Sequence, residues 1–182
     1  MAIERTLIMK PTLVKELTQI DTNVDSKMLT NNIVKAQELY IRPVLGTVLY
    51  NKILTDIAGA SLTGVYQTLV DSYVIPCLKK YICYVCAPEM VFKWRNKNIG
   101  AQGGDNNSAI TKEEMDAIRE MYKNDGEQYA KFMTDYIHEN ISSYPEYSQN
   151  SGIDEYPPKQ ENFTTNIYLG NGKEDYCKGY FS

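Results

Sequence analysis

Two helix-breaking signals lie close together in the stretch AQELYIRPVLGTVLYNKI, which spans residues 36–53. The residue before a proline is biased away from helical geometry, so Arg42-Pro43 should end a helix. Gly46 can adopt the positive φ that closes a helix at its C-terminus. Apolar residues at helical spacing precede and follow these signals. The stretch therefore predicts two helices that meet at a tight, partly buried corner formed by Pro43, Leu45 and Gly46.

Helical spacing of apolar residues continues along most of the chain. A short helical turn opened by Pro11 precedes a helix that ends at the corner, and a second helix follows from Val48 to Ile57. The third runs from about Val65 to Asn96 and the fourth from residue 111 to about residue 140. Thr111 and Glu114 have the spacing of a capping box at the start of the fourth helix. Gly126 should weaken the middle of that helix by about 1 kcal/mol relative to Ala.

The third helix is apolar on most of its sides, which predicts that other helices surround it. One stripe recurs at a/d spacing, and it consists of Val70, Val74, Cys77, Tyr81, Val85, Pro88 and Phe92. Pro76 and Pro88 each remove a backbone hydrogen bond, so we expect them to kink or divide the helix. Lysines and a glutamate interrupt its apolar run, which argues against a membrane span. The fold expected is all-α, a compact bundle of about four helices with a kinked central helix.

Residues 141–182 differ in character from the rest of the chain. Helical periodicity stops, prolines and glycines become frequent, and six of the 15 tyrosines occur here. Truly disordered segments are poor in aromatic residues. We therefore predict a helical domain over residues 1–140 and an extended arm over residues 141–182, with a possible hairpin near Asn171-Gly172. The arm's aromatic residues are candidate interface residues: Tyr144, Tyr147, Tyr156, Phe163, Tyr168, Tyr176, Tyr180 and Phe181.

Charge is distributed unevenly, although the net charge is only −4. Residues 66–97 have five basic and two acidic residues, whereas residues 111–140 have four basic and eight acidic ones. Lys93, Trp94, Arg95 and Lys97 form a basic cluster with an aromatic residue at the predicted end of the third helix. Such a cluster could contact phosphates or an acidic partner subunit, and it could equally complement the helix dipole. We retain it as a second candidate interface.

Candidate catalytic groups have no visible partners in the sequence. His138 is the only histidine and lies near the predicted end of the fourth helix, where a partial positive charge is favoured without catalysis. Cys83 and Cys86 are neighbours on a helix, with Cys77 six residues earlier. A structural zinc site needs four ligands, and no second pair or nearby histidine is present. We expect these cysteines to be buried thiols.

Two further patterns are also explained without a reaction. The glycine-rich GAQGGD stretch lacks the Lys-Ser/Thr that closes a P-loop. Glu113, Glu114 and Asp116 fall in the first turn of the fourth helix, where carboxylates complement the helix dipole. The expectation is a protein without catalytic activity, without a metal or other cofactor, and without contact with a membrane.

A recurring pattern around the corner resembles a known family. The residues Ile33-x-x-Ala36-Gln37, then Ile41-x-Pro43-x-Leu45-Gly46-x-x-Leu49-Tyr50, resemble the head–tail connector (adaptor) proteins of tailed bacteriophages. The likeness covers about residues 5–140 and includes the order of helices, corner and loop. The tyrosine-rich, histidine-poor style is most similar to the ring proteins of crAss-like phages.

The resemblance implies a structural virion protein at the neck of the particle, assembled in the host cytoplasm. Such proteins form a ring, generally of twelve subunits, between the portal protein and the tail or a second ring protein. DNA passes through the ring without sequence-specific binding. Two alternatives stay open: a monomeric helical binding module or phage accessory factor that engages one partner through its C-terminal arm, and an enzyme whose His138 or cysteines converge in a pocket.

Overall fold

The computed structural model describes residues 5–94, 99–101 and 111–148. Four α-helices in this part have more than ten residues, and π-turns, short helices and one hairpin connect them. The elements in chain order are α1 (Pro11–Leu17), α2 (Ser26–Ala36), a π-turn (Gln37–Ile41), α3 (Arg42–Leu45), α4 (Thr47–Ala58), α5 (Gly64–Leu69), a second π-turn (Val70–Val74), α6 (Ile75–Val91), β1 (Phe92–Trp94), β2 (Ile99–Ala101), α7 (Lys112–Glu139), a 3-10 turn (Ile141–Ser143) and α8 (Pro145–Ser148). The all-helical class predicted from the sequence is confirmed, with one short antiparallel hairpin, β1–β2, in addition.

The N-terminal segment is held against the bundle by a buried glutamine. Gln37 is only 1% exposed, and its amide nitrogen donates to the carbonyl of Thr6 while its carbonyl oxygen accepts from the backbone of Ile8. Both groups of the amide are thereby satisfied, as burial requires. The α1 helix begins at Pro11, as predicted, and Asp25 caps α2 by accepting from the backbone of Lys27.

The corner near residue 43 forms differently from the expectation. Pro43 does not end the helix, because the π-turn before it shifts the hydrogen bonding and the backbone of Arg42 donates to the carbonyl of Gln37. The chain stays helical until Gly46, whose φ of 73° and ψ of 155° suit only a residue without a side chain. Gly46 closes α3 by donating to Arg42 and opens α4 by accepting from Tyr50. The break therefore lies at the glycine alone.

The third predicted helix is interrupted in the same manner. The second π-turn precedes Pro76, and the backbone of Ile75 donates to the carbonyl of Val70, five residues earlier. The chain stays helical through Pro76 and through Pro88, which lies near the end of α6. The predicted extension to Asn96 is wrong, because α6 ends at Val91 and Phe92 begins β1. Five members of the predicted stripe are buried: Val70, Val74, Cys77, Tyr81 and Val85.

The α7 helix runs antiparallel to α6 and makes the most extensive contact in the fold. Its predicted capping box is confirmed, since Thr111 and Glu114 bond each other's backbone. Gly126 is buried against α6, and a Cβ there would lie 2.9 Å from the Tyr81 ring. We expected this glycine to weaken the helix, and in the structure it permits the close approach. Cys77 donates to the Gly126 carbonyl at 3.5 Å.

The first residues of the segment predicted as an arm pack onto the helical body. Tyr144 is fully buried and its hydroxyl donates to the carbonyl of Val65 at 2.9 Å. Tyr147 is 4% exposed, and α8 packs against α4. The chain from residue 141 to residue 148 is thus part of the body. The rest of the predicted arm, with its possible hairpin, lies outside the described residues.

Candidate functional site

The corner is a structural unit with its own polar contacts. The Tyr50 hydroxyl donates to Glu38 at 3.2 Å, and the Arg42 guanidinium lies 3.4 Å from both Glu38 and the Thr47 hydroxyl. Burial raises the pKa of Tyr50, with the neighbouring Glu38 carboxylate as a further cause. Leu45 is fully buried. These contacts fix the angle between α3 and α4. Two shallow depressions, of about 600 and 520 Å³, border the corner at Glu38.

Within the part of the chain that the structure describes, His138 has no hydrogen-bond partner of the kind that a catalytic base needs. Its ring meets Tyr147 edge-on at 5.6 Å, and its Nε2 is buried without a hydrogen-bond partner among the described residues. A general base must lie within hydrogen-bond reach of the proton that it takes. The contacts that His138 does make therefore attach the end of α7 to α8.

The cysteines of α6 are protonated thiols rather than thiolates. Burial raises the pKa of Cys77 to about 12 and that of Cys86, with Cys83 nearby, to about 12 as well. Burial also raises the pKa of Cys83. Since the thiolate is the nucleophile and the metal ligand, these values disfavour both roles. No group of three or more potential metal ligands occurs within residues 5–94, 99–101 and 111–148.

The acidic residues at the start of α7 serve its N-terminus. Glu114 accepts from the backbone and the hydroxyl of Thr111, and these hydrogen bonds lower the pKa of Glu114. Glu113 and Asp116 are exposed in the same region, and Asp116 lies 3.8 Å from Arg119.

The structure places the predicted interface residues in three groups. Tyr144 and Tyr147 are buried in the chain's own core, so their rings are already covered. Lys93 and Trp94 lie in β1. The others lie outside the described residues: Arg95, Lys97, Tyr156, Phe163, Tyr168, Tyr176, Tyr180 and Phe181.

The surface contains an aromatic groove that the sequence analysis did not predict. Tyr73 of the second π-turn stacks on Tyr136 of α7, with ring centroids 4.1 Å apart and planes 16° apart. Tyr129 meets Phe132 edge-on at 6.2 Å. These four rings, together with the carboxylates of Asp135 and Glu139, line an open groove of about 330 Å³. We call it the aromatic groove.

The groove is both apolar and acidic. Phe132 is 48% exposed, and the carboxylates of Asp135 and Glu139 form no ion pair with any residue that the structure describes. The charge of the groove is therefore uncompensated within the described chain. A surface of this kind suits a partner group that combines positive charge with apolar contact.

A second depression lies near the middle of the α6–α7 pair and shares Tyr129 with the aromatic groove. It is lined partly by Lys79, Lys80, Cys83 and Tyr122 and has a volume of about 400 Å³. Lys80 is held by Asp125 at 2.8 Å and lies 5.8 Å from the Tyr122 ring. The charge of Lys80 is thus compensated by the chain itself, unlike the charges of Asp135 and Glu139 in the aromatic groove.

The outer face of α7 leads into the groove. Ile118, Met121 and Phe132 recur at helical spacing and are 40%, 51% and 48% exposed. Acidic residues flank them on a helix of 28 residues, which is about 42 Å long at 1.5 Å per residue. We call this face the α7 outer face.

The signal for the groove is present in the sequence YAKFMTDYIHE, residues 129–139. Aromatic residues alternate there with carboxylates on one side of the helix. Helical spacing alone assigns such rings to the core, because core and groove residues share the same period. Only the packing of the π-turn against α7 shows that Tyr73 completes an open groove.

Comparisons with known proteins give one match. No helix of the described residues is long and apolar enough to cross a membrane. No curated protein and no solved structure matches the chain. One family model matches residues 41–157, which include the corner, the α6–α7 pair and the aromatic groove. The chain therefore belongs to DUF6712, a family of unknown function.

Proposed function

We propose that this protein is a structural component of a virion, a head–tail connector that forms a ring between the portal and the tail of a bacteriophage. The observation that carries the proposal is the α7 outer face. Ile118, Met121 and Phe132 are 40%, 51% and 48% exposed on one side of this 28-residue helix. Phe132 leads into the acidic aromatic groove, and exposed apolar side chains beside such a groove suit a protein interface.

The residues that resemble connector proteins also form the structural centre of the body. Ile33, Ala36, Ile41 and Leu49 are fully buried, and Gln37 and Tyr50 are each 1% exposed. Gly46 has the backbone geometry that the tight corner demands. The residues that resemble connector proteins are thus core and corner residues that determine the fold. Related assembly proteins would be expected to share such residues.

A ring requires each copy to offer two different surfaces to its two neighbours. The acidic α7 outer face is one such surface, and the basic residues of the chain's other regions suit its neighbour. In this proposal the helical body forms the ring, with twelve subunits by resemblance. The aromatic residues beyond residue 148 reach a neighbouring subunit or the next ring.

The proposed role is architectural and not enzymatic. Burial keeps the α6 thiols protonated, and Glu114 is committed to a helix cap. A lumen through which DNA slides should not be strongly basic, since phosphates would bind to it. The net charge of −4 is compatible with such a lumen.

The test is assembly on a portal complex from the same source. The full-length chain and a chain ending at residue 148 would each be mixed with portal particles, weighed by mass photometry and imaged by electron microscopy. Truncation at residue 148 rather than 140 preserves the buried Tyr144 and Tyr147. We expect a stoichiometric ring beneath the portal, weakened by loss of residues 149–182.

A monomer that binds no portal in either form would overturn the proposal. That result would favour the alternative, a monomeric helical module or accessory factor that engages one partner through its C-terminal segment. A ring formed equally well by both chains would preserve the connector and remove the role assigned to the segment.

A further inference from the structure

We propose that the aromatic groove binds the basic segment of residues 93–97, KWRNK, from a second copy of this chain. The inference rests on the proposed function, because it names the contact by which neighbouring subunits of the ring recognise each other. The groove belongs to the end of α7, and the segment begins in β1.

The chemistry of the groove selects a cation. The face of a tyrosine or phenylalanine ring attracts a guanidinium or ammonium group, and the attraction strengthens when water is excluded. Asp135 and Glu139 add two uncompensated carboxylates beside the rings. A basic side chain in the groove would contact both at once.

Other tyrosines of the chain already have such a cation. The guanidinium of Arg119 lies 4.8 Å from the centre of the Tyr84 ring, and the ammonium of Lys52 lies 5.4 Å from that of Tyr66. Tyr73 and Tyr136 have no cation over their rings among the described residues. Three of the eleven tyrosines in the described residues have a cation over the ring, and those of the groove are not among them.

Residues 93–97 are the part of the sequence that best complements the acidic aromatic groove. Lys93, Arg95 and Lys97 place three basic residues within five positions, and Trp94 adds a large aromatic surface. The C-terminal residues 149–182 are also rich in aromatic residues, but they contain five acidic and three basic residues. The acidic groove would repel them on balance and attract the basic segment.

The segment must come from another copy because of the direction of the helices. Tyr73 packs on Tyr136 at one end of the α6–α7 pair, and Tyr84 packs on Arg119 towards the other. Phe92, where β1 begins, lies 19 residues beyond Tyr73, or about 28 Å along the helix axis. The groove and β1, in which the segment begins, therefore lie at opposite ends of the α6–α7 pair. A contact between opposite ends of two copies is heterologous, which is the type that closes a ring.

Charge reversal tests this contact directly. One full-length variant has Asp135→Lys and Glu139→Lys, and a second has Lys93→Glu, Arg95→Glu and Lys97→Glu. Each variant alone would pair like charges, so we expect assembly, in solution or on the portal, to weaken at least about tenfold. An equimolar mixture restores opposite charges at every contact between unlike copies, so assembly should recover.

The recovery in the mixture identifies the contact as intermolecular, because each chain alone keeps like charges at both ends. A matched control has Glu120→Lys and Glu127→Lys, which make the same change of charge at exposed positions of α7 that do not line the groove. Circular dichroism and thermal unfolding of each variant verify that the body is folded.

The outcomes separate this inference from the proposed function. If the wild type assembles and the charge-reversed variants assemble equally well, the inference is overturned and the connector proposal stands. The same holds if the mixture of the two variants does not recover assembly. An equal loss in the control also overturns it, since the charge of α7 outside the groove would then account for the contact. A wild-type chain that stays monomeric with and without the portal overturns both.

Discussion

The tyrosines at the two ends of the α6–α7 pair differ in whether a cation of the same chain covers their rings. Towards β1, the Tyr84 ring is covered by Arg119, and Lys80 lies beside Tyr122 while bonded to Asp125. At the other end, Tyr73 and Tyr136 stack on each other beside uncompensated carboxylates. One end satisfies its aromatic and charged groups within the chain, and the other end leaves them open.

This difference indicates which end of the subunit is built for a partner. A tyrosine paired with a cation of its own chain has its best polar contact already, and a partner would have to displace it. Open rings beside free carboxylates can gain both contacts on binding. The most informative experiments therefore change one end and leave the other intact.

The largest effect is expected at Tyr144, which supports the groove end from inside the body. Its ring is fully buried, meets Tyr66 edge-on at 5.6 Å and lies 6.2 Å from Tyr136. Tyr144→Ala should lower the free energy of unfolding by about 3–5 kcal/mol, measured by guanidinium titration. Phe132→Ala is the control, because Phe132 is 48% exposed and should cost less than about 1 kcal/mol. Equal costs would contradict the placement of Tyr144 in the core.

Gly126, midway between the two ends, comes next. A Cβ at this position would lie 2.9 Å from the Tyr81 ring, and that ring cannot easily move because it stacks on Tyr40 at 4.4 Å. Overpacking exceeds the gain in helix propensity, so Gly126→Ala should destabilise the protein by about 2 kcal/mol. Gly59→Ala is the control, since its Cβ would meet only ordinary contacts at 3.4 Å. A stabilised Gly126→Ala variant would show that the helices are not so close.

A smaller effect is expected at Tyr66, whose hydroxyl donates to Glu146 at 2.8 Å and joins α5 to α8. Tyr66→Phe should cost about 1 kcal/mol at pH 7. Burial, together with the hydrogen bond to Glu146, raises the pKa of Tyr66 to about 12, above the value of about 10 in an unfolded chain.

The pH dependence of that cost follows from the raised pKa. The folded state favours the protonated phenol, so its stabilisation is complete below pH 10 and is lost as the pH rises through about 12. The difference in unfolding free energy between wild type and Tyr66→Phe should therefore narrow over this interval. A difference that stays constant from pH 8 to pH 12 would contradict the raised pKa of Tyr66.

Local signals predicted much of this fold correctly. Pro11 marked the start of α1, the pair Thr111 and Glu114 marked the start of α7, and the apolar stripe from Val70 to Val85 is buried. Each of these depends on residues within one or two turns of each other. Proline and glycine were harder to interpret, because their effect depends on hydrogen bonds several residues away.

The prolines show why the corner was misplaced. Pro43 and Pro76 each lie two residues after a π-turn, where the backbone N–H of the preceding residue bonds five residues back. The helix therefore continues through a proline that would otherwise interrupt it. Gly126 was misjudged for a related reason, since its value lies in the contact with Tyr81 on another helix. The aromatic groove forms only where Tyr73 packs against α7. Because these parts are about 60 residues apart in the sequence, local patterns could not predict the groove.

The smallest effect is expected at Lys80, near the middle of the α6–α7 pair, whose charge is satisfied within the chain. Lys80 lies 2.8 Å from Asp125, with side chains 26% and 43% exposed, and this hydrogen bond raises the pKa of Lys80. Because solvent screens a partly exposed pair, Lys80→Met should cost about 0.5 kcal/mol in low salt and less in 1 M NaCl.

The control is Lys123→Met, whose pair with Glu127 is longer, at 3.5 Å, and more exposed, so its cost should be smaller still. Lys80 of α6 pairs with a carboxylate of α7, whereas Lys123 pairs with a carboxylate of its own helix. The link between two helices, the contact with Tyr122 and the lower exposure of the side chain distinguish Lys80 from the control. If both substitutions cost the same at every salt concentration, the cation beside Tyr122 contributes nothing, and the contrast between the two ends would then rest on the aromatic groove alone.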